Sequence, residues 1–519
     1  MIATFIILAL AILGFISNRI PLGLIAGGVA VSLWATGVLD LDQALGGFGD
    51  PIVLFIASLF IVSEALESTG ITVWAGNLIM RRAGTRRAPL LITISLFAAL
   101  TTALISVNGA VAALLPLVVV IAARARIPAS QMLLPLAFVA HAGSLLTLTG
   151  SPVNVIVSDL AEEAGGRSFN FLEFALAGLP LLIGSVIFIL VFGRKLLPTR
   201  SSRRAPQDLA AFTLALRDEY DLGDSATLIS NGSGIVEVMV PPRSELIGQR
   251  LFPGMLTPDS DIVVIAAQRG GRALREEEDP TLRAGDILLL SGTWENLTEH
   301  TTESPELLPV SSAESIRRSI PLSRGSTRTI TVLILMIALL ISGLVPPAIA
   351  GLLAAGALIA LGVVSPARAY RSISWTTVVL IAGMIPLSTA FISTGAADLI
   401  ATTLLDLLDG GSPVTALLVI CVVTMLLGQL ISNTATVLIV APVALAFAEA
   451  LDVSALPFMM ALAVSGAAAF LTPIATPANT MVMEPGGYRF GDYWRLGLPL
   501  MIMYLVVAVF WVPFIWPFH

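Results

Sequence analysis

The sequence predicts an all-α polytopic membrane protein with two inverted repeats of five transmembrane helices plus one helical hairpin each, and a small α/β cytoplasmic insert between them. Hydrophobic residues make up 56% of the 519 positions and charged residues only 12%, whereas soluble domains carry about 25% charged residues. Two long apolar blocks, 1–197 and 329–517, enclose a polar block. Similar short motifs recur in the same order in both apolar blocks.

The apolar segments of the two blocks correspond in number and spacing. They lie at 2–17, 22–38, 52–67, 88–124, 131–158 and 173–193, and at 329–344, 347–364, 375–395, 413–449, 456–483 and 494–516. Segments 88–124 and 413–449 are too long for one crossing, since about 20 residues span a bilayer. Each must fold back, so ten helices cross if each hairpin returns to its starting side.

The basic residues predict the orientation. Those between the apolar segments, such as Arg81, Arg124 and Arg194, fall on one face, and of the 28 only Arg167 falls on the other. By the positive-inside rule the basic face is cytoplasmic. We therefore expect a multi-pass inner-membrane protein with a first transmembrane repeat at 1–197, a cytoplasmic insert at 198–328, a second repeat at 329–519 and external termini.

An internal repeat relates the two blocks. Five anchors recur in order: Ser68-Thr69-Gly70 and Ser393-Thr394-Gly395, Ser106 and Ser432, Pro116 and Pro442, Asn154 and Asn479, and Gly178-Leu179-Pro180-Leu181 and Gly497-Leu498-Pro499-Leu500. Each half has an odd number of crossings, so the second half is inverted. Inverted repeats with interrupted helices are typical of transporters, which bind substrate near the midplane. The alternative is a duplicated membrane protein with a structural role.

Four polar breaks interrupt the apolar helices. Two are the hairpin tips, Ser106-Val107-Asn108-Gly109 and Ser432-Asn433-Thr434, and two lie in the fifth segments, 149–154 and 474–479. Proline in a helix leaves a carbonyl without its donor, and within lipid that group must find a partner. Half-helix N-termini favour anions and half-helix carbonyls favour sodium. Together the breaks predict a binding site.

On these residues the chain resembles the divalent anion:sodium symporter family. The resemblance lies in ISNTATVLIVAP at 431–442, in GSPVN and ATPAN at the breaks, and in RFGDYWRLGLPL at 489–500. It covers both apolar blocks and implies that the hairpins are re-entrant, stopping at the midplane. The family has Ser-Asn-Thr at each tip; the second tip fits, while Val107 replaces the expected asparagine at the first.

The resemblance also implies the site residues. One cation would lie among Ser106, Asn108, Gly150 and Asn154, and another among Ser432, Asn433, Ala475 and Asn479. The anion would contact Ser106, Asn108, Ser151, Pro152, Asn433, Thr434, Thr476 and Pro477. The predicted site contains no arginine, so coupled cations would offset the anion's charge. Sodium ions are the only bound ions expected, and no cofactor is predicted.

His141, in the fifth apolar segment, is a candidate proton carrier, since intramembrane histidines are often functional. The alternative is a hydrogen-bonded packing residue.

The insert has three predicted strands, at 235–240, 261–267 and 286–290. SELIGQRL at 244–251 and LRAGDILLLSG at 282–292 resemble the C-terminal lobe of potassium-transporter regulatory domains, the TrkA-C type, over about 232–302. This implies either a small-ligand sensor or a dimerisation module.

These features predict a secondary transporter that carries a small anion, such as sulfate or a di- or tricarboxylate, with sodium or protons. We expect a homodimer in the lipid bilayer that binds no nucleic acid. An enzyme is disfavoured because no nucleophile–base set or metal cluster is evident. The alternatives are an efflux permease of the arsenite type and a ligand-gated ion channel.

Overall fold

The computed structural model describes most of both apolar blocks and part of the insert. The described residues are 1–17, 19–71, 74, 86–200, 233–252, 254–256, 262–270, 272–274, 280–294, 296–297, 307–309, 325–396, 399, 403 and 412–519. The chain divides into two compact units. One, of helices, contains Met1–Ala65, Gly76–Ala205 and Arg328–His519; the other, with a small sheet, contains Leu66–Ala75 and Pro206–Thr327.

The helices of the first half follow the predicted apolar segments. They are α1 (Ile2–Ser17), α2 (Leu22–Ala35), α3 (Leu41–Gly46), α4 (Pro51–Ser68), α5 (Arg87–Leu104), α6 (Val107–Arg124), α7 (Leu133–Gly143), α8 (Pro152–Glu163) and α9 (Ala175–Leu196). The long segment 88–124 is two helices, α5 and α6, that meet at Ile105 and Ser106. The fifth segment is interrupted between α7 and α8, and α8 continues five residues beyond the predicted end at 158.

The second half has a corresponding series. It consists of α10 (Ser326–Ser342), α11 (Pro347–Ala360), α12 (Pro366–Ser372), α13 (Trp375–Ser393), α14 (Pro413–Leu427), α15 (Asn433–Ala450), α16 (Leu456–Gly466), α17 (Pro477–Met483), α18 (Tyr493–Val506) and α19 (Val512–Ile515). Segment 413–449 is the pair α14 and α15. A π-helical turn, Val507–Trp511, joins α18 to α19.

Length and composition suit these helices to a bilayer. Among the described residues, five helices are long and apolar enough to cross a membrane, or six if the pair Pro366–Ser372 and Trp375–Phe391, bent by 58°, counts as one span. Eight further apolar helices have 10–17 residues. The protein is therefore mostly helical and consistent with a polytopic membrane transporter, while the count of ten crossings and the orientation stay predictions.

Close approaches between helices recur at a constant spacing. A Cβ at Gly351 of α11 would collide with Ser58 Oγ of α4, and one at Gly383 of α13 would collide with the backbone of Ala26 in α2. Positions 26 and 351, like 58 and 383, are 325 residues apart. The α4–α11 and α2–α13 contacts therefore involve equivalent positions of the two halves. The glycine lies on α11 in the first contact and on α13 in the second. The inverted orientation of the second half stays a prediction.

The recurring Gly-Leu-Pro-Leu anchors have a packing reason. A Cβ at Gly178 of α9 would collide with the carbonyl of Leu145, and one at Gly497 of α18 would collide with the carbonyl of Phe470. Both carbonyls lie in the irregular segments that interrupt the fifth apolar segments. Glycine at these two positions therefore lets α9 and α18 approach the breaks closely.

An ion pair and a tyrosine fix the chain near the second break. Arg200 Nη1 lies 2.7 Å from Asp492 Oδ2 and donates to the carbonyl of Gly487. The Tyr488 hydroxyl is buried, donates to the carbonyl of Ser130 and accepts from Leu134 N. These contacts join the segment that follows α17 to two places in the first half, its end at Arg200 and the beginning of α7.

The second unit contains a six-stranded sheet. Its strands are β1 (Ser233–Met239), β2 (Met255–Leu256), β3 (Val263–Arg269), β4 (Arg272–Ala273), β5 (Ile287–Thr293) and β6 (Leu308–Pro309), in the order β2-β3-β5-β1-β6 with β4 beside β3. All pairings between the described strands are antiparallel. The three predicted strands correspond to β1, β3 and β5. Position 261 lies outside the described residues, and β5 extends to Thr293, three residues beyond the prediction.

Candidate functional site

The first break is organised around Asn154. Its side chain is fully buried, and its Nδ2 donates to the carbonyls of Ser144 and Thr147, both at 2.8 Å. These carbonyls lie in the non-helical stretch between α7 and α8, where helical donors are missing. Ser151 accepts from Val153 N at 3.2 Å and so caps α8. One asparagine amide therefore satisfies the backbone that the break exposes.

The second break repeats this arrangement around Asn479. Its Nδ2 donates to the carbonyls of Ala469 at 2.8 Å and Thr472 at 3.1 Å. The acceptors lie ten and seven residues upstream of the asparagine in both breaks. Thr476 accepts from Asn479 N at 3.3 Å and caps α17. Asn154 and Asn479, 325 positions apart, thus perform the same structural task.

The hairpin tips also share a local geometry. Ser106 Oγ accepts from Gly109 N at the start of α6, and Ser432 Oγ accepts from Ala435 N at the start of α15, each at 3.3 Å. The positions after these serines differ, with half-buried Val107 at the first tip and half-buried Asn433 at the second. The two serines are therefore helix caps, whatever further ligand role they have.

Three asparagine oxygens are left over from these hydrogen bonds. Oδ1 of Asn154, Asn433 and Asn479 is buried and accepts no hydrogen bond. Buried polar atoms are normally satisfied, and neutral amide oxygens are suitable ligands for a hard cation such as sodium. These three oxygens are therefore chemically suited to bind a sodium ion. The His141 ring lies beside the Asn479 amide.

Residues of the first half reach the second break directly. Asn108 Oδ1 at the first tip accepts from Ala478 N at 3.2 Å, at the beginning of α17. His141 Nε2, on α7, lies 3.3 Å from Thr476 Oγ1. His141 is buried and its ring packs edge-on against Phe470, with centroids 5.8 Å apart. The fold thus brings together Asn108, His141 and the Thr476–Asn479 segment.

The corresponding region around the first break is less polar. Gly466 of α16 stands 325 positions after His141 and has no side chain. A Cβ there would lie 3.7 Å from Val153 Cγ1, at the beginning of α8. The helix that follows each fold-back thus packs against the half-helix of the opposite repeat, but only α7 carries a hydrogen-bonding side chain at this position.

The remaining predicted residues lie in the same segments. Gly150 and Ala475 are buried at equivalent positions of the two breaks, and Gly150 is too close to the carbonyl of Ser144 for any side chain. Pro152 and Pro477 are the first residues of α8 and α17. Thr434 is half-buried in the first turn of α15. Their ligand roles stay predictions.

Sequence reasoning missed a polar bridge at the second hairpin. Gln429 Nε2 donates to the carbonyls of Met425 and Ala468, and its Oε1 accepts from Leu471 N. It thereby joins the end of α14 to the second break. Ala103, the equivalent residue three positions before Ser106, accepts from Thr147 Oγ1 through its carbonyl instead. The signal for Gln429 was a lone amide side chain within an apolar segment.

Comparison with known proteins gives consistent matches along the chain. The profile of the family described as citrate transporter matches residues 12–437 and 407–519. The uncharacterized transporter YfbS of Escherichia coli is 28% identical over 99% of this chain and 98% of its own length. Sodium/sulfate cotransporter 2 of Chlamydomonas reinhardtii is 26% identical over 53% of this chain and 32% of its own length.

A solved structure shares the fold. The crystal structure of the Alcanivorax borkumensis YdaH transporter, described as having an unusual topology, aligns over 99% of both chains with a TM-score of 0.50 and 16% identity. The matched proteins are transporters and not enzymes. The coarser prediction of a multi-pass membrane transporter related to sodium/sulfate cotransporters is therefore confirmed.

Proposed function

Because the chain belongs to the citrate transporter family, we propose that it is a secondary active transporter that carries a small anion together with sodium ions or protons across the inner membrane. The substrate class is sulfate or a di- or tricarboxylate, which agrees with the names of the family and of the sodium/sulfate cotransporters. The observation that carries the proposal is the set of buried asparagine oxygens without donors at the breaks.

Cation binding would use these oxygens. Asn154, with Ser106, Asn108 and Gly150, would form one site, and Asn479, with Ser432, Asn433 and Ala475, the other. Because Asn108 Oδ1 already accepts from Ala478 N and Val107 has no side-chain oxygen, the first site has fewer free ligands. We expect the second site, with the free Oδ1 of Asn433, to bind sodium more tightly. A bound cation would lower the cost of holding an anion nearby.

Anion binding would use helix N-termini. The starts of α6, α8, α15 and α17 offer backbone N–H groups with partial positive charge, and the remaining predicted contacts come from Ser151, Pro152, Thr434, Thr476 and Pro477. An anion at the beginning of α17 would replace Asn108 Oδ1 as the acceptor for Ala478 N. Asn108 would therefore move when substrate binds.

His141 is the alternative carrier of the coupling charge. Its contact with Thr476 would connect its protonation to the α17 anion site. In that version the first half contributes a proton in place of a sodium ion, and uptake follows the pH gradient.

The insert would regulate this transport. We propose a cytoplasmic TrkA-C-like domain at about 232–302 that binds a small ligand or joins two copies in a homodimer. The proposed boundaries are 1–197, 198–328 and 329–519, with re-entrant hairpins and inverted repeats in the two membrane parts.

Uptake into proteoliposomes tests the proposal. Radiolabelled sulfate, succinate and citrate are offered to purified protein under a sodium gradient, a pH gradient, or neither. Asn433→Ala should reduce sodium-driven uptake at least about fivefold, since one lost ligand in a buried site costs about 1–3 kcal/mol. Val107→Ala, at the equivalent position of the first tip, removes no oxygen and should retain uptake. Uptake by Asn433→Ala at the rate of the unmodified protein would contradict the proposed site.

A further inference from the structure

An acidic cavity of about 750 Å³ lies within the helical unit. Its walls come from the start of α4 and from α8, α13, α15 and the segment after α15. Four carboxylates line it, those of Asp50, Asp159, Glu163 and Glu449, and no basic residue of the described chain lines it. A concave surface with charges of one sign concentrates ions of the opposite sign. The cavity therefore attracts cations and repels the anionic substrate.

Along two helices the cavity lining comes close to the level of the asparagines at the breaks. Its lining includes Ile156 of α8 and Leu438 of α15. Ile156 is two residues after Asn154, and Leu438 is five residues after Asn433. With a rise of about 1.5 Å per residue, these distances along the helix axes are about 3 Å and about 7.5 Å. The carboxylates of Glu163 and Glu449 lie at the opposite ends of the same two helices.

A buried hydroxyl without a partner also lines the cavity. Ser388 on α13 is only 8% exposed, and its Oγ makes no hydrogen bond. Buried hydroxyl groups are normally hydrogen-bonded. This atom is therefore available to a polar ligand inside the cavity, independently of the carboxylate cluster.

Asp159 is the carboxylate whose charge depends most on its surroundings. Burial, together with the nearby charges of Glu163, Asp50 and Glu162, raises the pKa of Asp159 to about 7. Glu449 faces the same cavity from α15. Asp159 lies just beyond the predicted apolar segment 131–158. A bound cation would favour its ionised form.

We propose that this cavity binds a hydrated sodium ion before the ion moves on to the oxygens of Asn154 and Asn433. The inference rests on the proposed cation coupling and adds a separate site to it. No three His, Cys, Asp or Glu side chains of the described residues are arranged to hold a metal ion directly, so the ion keeps its water. Six waters at about 30 Å³ each occupy about 180 Å³, which the cavity accommodates.

The site has a defined pH dependence. Above pH 7 Asp159 is ionised and contributes to cation binding; as the pH falls below 7 it becomes protonated and that contribution is lost. Sodium affinity at the cavity therefore decreases on acidification.

Direct binding of radioactive sodium to the purified full-length protein, with choline replacing sodium as the background salt, tests the site. At pH 8 we expect Asp159→Asn to raise the Kd about tenfold, which corresponds to one pKa unit of interaction, and to abolish the difference between pH 8 and pH 6. Ser388→Ala should raise the Kd several-fold. Asp42→Asn, an exposed carboxylate that does not line the cavity, is the matched control and should bind as the unmodified protein does.

Two outcomes would overturn the inference. One is an Asp159→Asn protein that remains folded by circular dichroism and keeps the unmodified Kd and pH dependence. The other is an Asp42→Asn protein that loses as much affinity as Asp159→Asn. The proposed function fails separately: if Asn433→Ala transports normally under a sodium gradient while sodium binding still depends on Asp159, the break site is wrong and the cavity site stands.

Discussion

Asparagine performs two tasks at each interruption of the fifth apolar segments. In Asn154 the amide nitrogen holds two backbone carbonyls and the amide oxygen is left free. Asn479 divides its groups in the same way. No other common side chain of this size offers two donors and one acceptor in a fixed plane. In each asparagine the amide nitrogen therefore has the structural role, and the amide oxygen has the proposed ligand role.

This division makes a prediction for Asn154→Asp. Aspartate keeps the size and the oxygen but has no donor for the carbonyls of Ser144 and Thr147. Each buried carbonyl that loses its donor costs about 1–3 kcal/mol of stability. The variant should therefore have a clearly lower melting temperature in detergent than the unmodified protein. Ser151→Ala, which removes only a half-buried helix cap worth about 1 kcal/mol, should lower it less. Equal melting temperatures for the unmodified protein and Asn154→Asp would contradict this account.

The helices are arranged by close contacts at particular glycines. α11 presents Gly351 to α4, where even a Cβ would collide with Ser58, while Gly356 on the same helix has nothing within 4 Å of its Cβ position. Small residues at crossings let membrane helices approach and gain dispersion contacts. Element packing in this protein therefore depends on individual positions and not on glycine content.

The two glycines of α11 provide a matched pair of variants. Gly351→Leu should destabilise the protein by about 1–3 kcal/mol or more, because overpacking at a tight contact forces the helices apart. Gly356→Leu should be tolerated, since its side chain enters open space. Thermal stability after purification from membranes measures both. A Gly356→Leu protein as unstable as Gly351→Leu would show that helix propensity, not the α4–α11 contact, decides the effect.

At the scale of the whole molecule the orientation in the membrane is open to direct measurement. The exposed Glu162, near the end of α8, is predicted to be external, and position 205 in the insert is predicted to be cytoplasmic. The single native cysteine, Cys421, is buried. A membrane-impermeant maleimide should therefore label Glu162→Cys in intact cells and Ala205→Cys only after permeabilisation. Labelling of Ala205→Cys, but not of Glu162→Cys, in intact cells would contradict the predicted orientation and indicate the opposite one.

Much of the fold could be predicted from the sequence by itself. Hydropathy determines the apolar segments because backbone polar groups in lipid must be satisfied within helices. Proline and clustered polar residues mark the breaks, and anchors that recur in the same order predict the repeat. Three strands of the insert follow from alternation, whereas β2, β4 and β6 have two residues each and are too short for a pattern.

Only the tertiary structure decided which groups meet. The bond from Ala478 N to Asn108 and the contact of His141 with Thr476 join residues separated by more than 300 positions, and no local pattern encodes such a pair. The acidic cavity likewise combines side chains from four helices and their flanking segments. Hydrophobicity and helix breaks are properties of neighbouring residues, so the sequence determines them; charge clusters and free hydrogen-bonding atoms depend on packing between distant segments, so only the folded chain reveals them.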